Sequence, residues 1–257
     1  MSGLATLLPL AQDLLWLHAL VFLRIAPLIA LFPGFGETSV PMRIKLGLAL
    51  GLAAIVTPAV AADLAGRLPV NPDLLRLILT ETGIGLMLGF GIRFFVLALQ
   101  TAGAIAAQST SLSQILGTAG VTPMPAIGHL LVTGALALAM MLGLHLRLAE
   151  LAVASYRVFP PGAPPVAAAV AEWGIARVAH AFGFAFTLAA PFVIASTLYN
   201  LTLGIINRAM PQLMVVFVGA PAITGAGLVL LMLLAPAMLG LWAEALGDFL
   251  ADPMGGR

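Results

Sequence analysis

The chain of 257 residues is 61% hydrophobic and only 8% charged, with a mean hydropathy of +1.12, whereas a soluble globular domain carries about 25% charged residues. A net charge of +1 without clustered Lys and Arg excludes a phosphate-tracking surface, and the lack of cysteine excludes disulfides, thiolate metal sites and cysteine nucleophiles. What remains is an integral membrane protein, read as one compact helical bundle with spans of about 20 residues each.

Apolar stretches fall near 14–33, 44–62, 77–107, 127–154, 176–206 and 213–247. They predict about six helical segments and an all-α polytopic fold, because runs such as LGLALGLAAIV are apolar on every face instead of alternating as barrel strands do. The first stretch lacks a basic leader region and a small-residue cleavage site, so it is expected to be a retained span. Pro27, Pro58, Pro191, Pro221 and Pro236 lie in or near these stretches. Each removes a backbone hydrogen bond, so the helices are expected to kink and to face protein where carbonyls are freed.

Glycine pairs at Gly47/Gly51 and Gly85/Gly89 have the spacing that lets membrane helices approach closely. GIGLMLGFG, residues 83–91, lacks the spacing of a nucleotide-binding loop and is read as packing. Arg24, Glu81 and Arg93 interrupt the apolar runs, and such intramembrane charges serve either in pairing or along a pathway. Glu81 and Arg93 are twelve residues apart, about 18 Å along a helix, so each needs a partner elsewhere. Arg147 and Glu150 are spaced for a local ion pair.

The polar, Gly-rich stretch QSTSLSQILGTAGVTPMP at 108–125 is long for a connection in a bundle, and FPPGAPP at 159–165 reads as a stiff link on the solvent side. His18, His129, His145 and His180 are isolated and share no metal-ligand spacing, and no catalytic set is present, so neither enzyme activity nor a cofactor or metal is expected. Lys and Arg are spread over nearly every connection, which leaves the orientation in the membrane open.

YNLTLGIINRAMPQ, residues 199–212, is the most polar interruption. On a helix, Asn200, Gly204, Asn207 and Pro211 fall within about 60° of one another. If the helix ends near Ala209, Arg208 and Gln212 stand at the tip of a hairpin whose second arm begins at LMVVFVGAP, and that arrangement is the expectation here.

Four patches resemble the FliR family of export-gate subunits of flagellar type III secretion, called SctT in injectisomes. They are VPMRIKLGLALGLA at 40–53, AQSTSLSQILGTAGVTPM in mid-chain, GLHLRLAELAVASYRVFPPG at 143–162, and LYNLTLGIINRAMPQLMVVFVGAPAITGAGL at 198–228, where Asn207, Arg208, Pro211, Gln212, Gly219 and Pro221 match. The resemblance implies a single export-gate domain over 1–257, with a FliP-like part at 1–175 and a FliQ-like hairpin at 176–257. It implies a plug near 108–125 that includes Gln108, Ser109, Ser111, Ser113, Gln114, Gly117 and Gly120. It also implies a hairpin tip with Asn200, Asn207, Arg208, Pro211, Gln212 and Pro221 that contacts other subunits or substrate.

The implied partners are FliP- and FliQ-like gate subunits, FlhB- and FlhA-like export proteins and unfolded protein substrates. The implied location is the bacterial inner membrane, in the flagellar basal body. An injectisome gate subunit is the nearest alternative, and an ion-coupled transporter using Arg24, Glu81 and Arg93 is a further one.

Overall fold

The structure, a computed structural model, describes residues 2–37, 39–64, 73–110, 126–209 and 215–255. Among the described residues all regular structure is helical: α1 Ser2–Leu31, α2 Met42–Leu64, α3 Leu74–Thr110, α4 Ala126–Met141, α5 Leu144–Val158, α6 Ala167–Ala209 and α7 Val215–Ala251. There are seven helices where apolar runs alone suggest six, because the stretch near 127–154 breaks at Gly143. That residue has φ 77° and ψ 31°, a left-handed conformation open to glycine at little cost.

Local chemistry accounts for other helix ends. Asp73 caps α3, its Oδ1 accepting the Leu75 N–H at 3.2 Å while its carbonyl accepts the Leu77 N–H at 2.9 Å. Pro41 stands just ahead of α2, where a missing N–H is harmless, and its carbonyl accepts from Ile44 at 2.9 Å. Pro27, Pro58, Pro191, Pro221 and Pro236 all lie within helices that continue past them. Beside Pro58, the Thr57 hydroxyl donates to the Ala53 carbonyl at 2.6 Å.

Five stretches are long and apolar enough to cross a membrane: Leu14–Leu31, α2, α3, α6 and Ala222–Ala251, with α4 and α5 together as a sixth, broken span. The protein is a polytopic all-α membrane protein. Its chain forms two compact units, one from Met1–Arg93, Met140–Ala176 and Gly247–Arg257, the other from Phe94–Ala139 and Arg177–Leu246.

In the first unit, α1 packs on α2, and α2 on α5. α1 buries Leu17, Leu20, Val21, Arg24, Ile25 and Leu28, the i, i+3, i+4, i+7 face of an amphipathic helix. Gly85 and Gly89 let α3 approach that face. A Cβ on Gly85 would collide with the Arg24 carbonyl and stand 2.7 Å from Pro27 Cγ, and one on Gly89 would stand 2.9 Å from Leu31 Cβ. Gly47 and Gly51 have the same spacing, yet nothing lies within 4 Å of a Cβ built on either.

In the second unit, the core combines large residues such as Leu99, Phe192 and Trp242 with small ones, among them Ala98, Ala102, Ala106, Ala135 and Ala189. Small side chains let helix backbones come close, which favours association where no hydrophobic force separates helix from lipid. Gly103 meets the Gly128 backbone where α3 crosses α4. Trp242, fully buried, donates its indole N–H to the Phe95 carbonyl at 2.9 Å and ties α7 to α3. Tyr199 on α6 donates its hydroxyl to the Gly219 carbonyl on α7.

Candidate functional site

The charged residues that interrupt the apolar runs are brought into pairs. Arg24 and Glu81, 1% and 0% exposed, meet with Nε to Oε2 at 2.8 Å. The guanidinium fork is then filled: Nη1 donates to Ser155 Oγ at 3.1 Å and Nη2 to the Phe159 carbonyl at 2.9 Å. Its face lies over the Tyr156 ring, 3.8 Å from the centroid. The second Glu81 oxygen accepts the Gly162 N–H at 3.1 Å.

This network has a local logic at each corner. Phe159 caps the C-terminus of α5, where carbonyls lack helical donors and a cation meets the negative end of the helix dipole. Gly162 has φ 70°, so the turn that aims its N–H at Glu81 is one that glycine adopts without strain. The cluster thus joins α1 and α3 to the end of α5 and to the turn at Gly162. The Tyr156 hydroxyl, buried beside it, has no hydrogen-bond partner among the described residues.

Arg93 pairs with Glu37, in the connection after α1, and both are partly exposed. Arg157 reaches Asp63 at 3.4 Å across an exposed edge. Arg147 and Glu150 do not form the expected pair, for helical spacing permits a contact without requiring two exposed side chains to adopt it. His18 meets Thr57 Oγ1 at 3.3 Å, and His180 stacks on Phe184. Among the described residues no three metal-ligating side chains cluster.

Residues 199–209 of the polar stretch occupy the last turns of α6. Asn200, Gly204, Asn207 and Arg208 are exposed, and nothing lies within 4 Å of a Cβ built on Gly204. Pro211 and Gln212 lie outside the described residues, and Pro221 lies in α7 with its side chain outside the description. Of the expected plug, Gln108 and Ser109 end α3, with Ser109 Oγ bonded to the Ala106 carbonyl at 2.9 Å. Ser111, Ser113, Gln114, Gly117 and Gly120 lie outside the described residues.

Sequence reasoning did not single out Glu37, Ser155, Gly162 or the bond from Tyr199 to Gly219. Gly162 carried one usable signal, a glycine amid four prolines in FPPGAPP, which marks a turn whose N–H needs a partner. The others depend on residues distant in sequence.

The profile of the family described as "Bacterial export proteins, family 1" matches residues 15–249. The protein called "Flagellar biosynthetic protein FliR" in Caulobacter vibrioides is 34% identical, over 91% of this chain and 94% of its own. Its namesake in Escherichia coli is 31% identical, over 88% of this chain and 87% of its own. That of Bacillus subtilis is 29% identical, over 81% and 82%.

Proposed function

We propose that this chain, which belongs to the FliR family of bacterial export proteins, is a non-enzymatic subunit of the flagellar type III export gate in the bacterial inner membrane. With FliP- and FliQ-like subunits it forms the channel for unfolded flagellar proteins, and it meets FlhB- and FlhA-like proteins in the basal body. Residues 1–175 form the FliP-like part and 176–257 the FliQ-like hairpin. The flagellar names of its relatives support this over an injectisome role.

One observation carries the reading. Large apolar side chains on α6 are exposed from Val178 through Phe182, Phe186, Ile194, Leu198 and Leu201 to Ile206. That length is about 42 Å along a helix, against a hydrocarbon core of about 30 Å. Lipid alone would cover a straight helix of that kind only at a tilt beyond the ~40° limit seen for membrane helices. A surface of this length suits burial against other subunits. Arg24 and Glu81, bonded to each other and to Ser155, Phe159 and Gly162, fit this better than a transporter's coupling pair.

The test is co-expression of a tagged chain with the FliP- and FliQ-like genes of its source, followed by purification in mild detergent and mass determination. A complex of fixed stoichiometry is expected. Recovery of the chain alone, with the other two subunits expressed in the same membrane, would end the proposal.

A further inference from the structure

We infer that Arg24 and Glu81 are positioning residues for the proline-rich connection 159–165, and so set where α6, the first arm of the hairpin, begins. A buried ion pair is a poor source of stability, because desolvation offsets the attraction and well-packed apolar residues often do as well. Apart from their bond to each other, every hydrogen bond of this pair goes to one short segment: Ser155 Oγ, the Phe159 carbonyl and the Gly162 N–H.

In that segment Pro161 is buried, while Pro160, Ala163 and Pro164 are exposed. Beyond the pair it borders an apolar cavity of about 290 Å³, lined by Val158, Pro160, Pro164, Pro165, Trp173 and Met254. Open space of this size gives no tight packing on that side of the turn. The segment is itself stiff. Pro160, Pro161, Pro164 and Pro165 have restricted φ angles, and the Ala163 N–H closes a turn on the Pro160 carbonyl at 3.2 Å. Holding Phe159 and Gly162 therefore fixes the chain as far as Ala167, where α6 starts. Trp173, two turns into α6, completes the anchor by donating its indole N–H to the Pro253 carbonyl at 2.9 Å.

The experiment compares the full-length chain with the Arg24→Met/Glu81→Leu double variant and with Arg24→Lys, each expressed in a host strain lacking its own copy. Lysine keeps the charge beside Glu81 but lacks the fork that reaches both Ser155 and Phe159, so it serves if the double variant fails to accumulate. Hydrogen exchange is measured on membrane-extracted protein, and flagellin export on the same strains. Peptides covering 159–166 are expected to exchange about tenfold faster in the variants, while peptides from α2 keep wild-type protection. Export is expected to fall in step.

Unchanged protection at 159–166 would overturn the inference. So would equal loosening of α2, which marks a merely structural pair, or a freed connection with undiminished export. The export arm rests on the function proposed above. Rescue of the strain by the wild-type chain tests that function separately, and the exchange arm does not depend on it.

Discussion

Arg24 and Glu81 stand 57 positions apart in sequence and meet at 2.8 Å with almost no exposed surface. Neither charge has water to fall back on. Replacing only one of them, as in Arg24→Met or Glu81→Leu, leaves the other buried and unpaired, at an expected cost of about 3–5 kcal/mol. The double replacement is expected to lie much closer to wild type. Denaturation in detergent checks both, and additive losses in the double variant would contradict the pairing.

Tyr156 gives the opposite prediction. Its hydroxyl is buried with no partner among the described residues, while its ring supports the Arg24 guanidinium. Tyr156→Phe removes an unsatisfied group and keeps the ring, so stability should be unchanged or raised. Tyr156→Leu should lower it by about 1–2 kcal/mol through the lost ring contact. Thermal melts of the two variants, compared with wild type, decide between these signs.

The two glycine pairs should separate cleanly. Gly85→Ala places a methyl group against the Arg24 carbonyl and Pro27, and overpacking of that kind costs about 1–3 kcal/mol. Gly47→Ala meets nothing among the described residues and should raise helix stability by roughly 0.5–1 kcal/mol. Melting of the isolated protein tests both. A Gly47→Ala chain that is stable alone but poor in export would place the fault at a contact with another subunit.

Deletion of residues 110–119 tests the proposed plug. The assembled gate should leak ions, seen as raised conductance in planar bilayers. Wild-type conductance from a fully assembled complex would remove the plug from consideration.

The hairpin tip is expected to face the cytoplasm. A cysteine introduced as Gln212→Cys, in a chain with no native cysteine, should react with a membrane-impermeant maleimide only after the cytoplasmic side is opened. Labelling in intact cells through the periplasm alone would reverse the assignment.

Much of the fold was legible in the sequence, because helicity in a membrane follows from local hydropathy and from the need to satisfy each backbone group within its own segment. The break at Gly143 was less visible. A glycine in an apolar run reads equally well as packing or as a left-handed stop, and only the backbone angle separates them. Asn200, Asn207 and Arg208 are exposed, but so are Leu198, Leu201 and Ile206 beside them, and the bond from Tyr199 to Gly219 required two helices to lie side by side.

Sequence by itself determined that this chain is an all-α membrane protein of the FliR family, and left Arg24, Glu81 and Arg93 open between pairing and a pathway, since charge in an apolar stretch is costly unless it has a partner or a use. Tertiary structure decided which partners. Glu37 rather than Glu81 serves Arg93, and Arg24 takes Glu81 together with the end of α5. It also decided that Gly85 and Gly89 are filled by a neighbouring helix while Gly47 and Gly51 are not. Identical spacing confers identical capacity for close approach, but use of that capacity depends on which surface a helix presents to its neighbours, a property of the packed molecule and not of the segment.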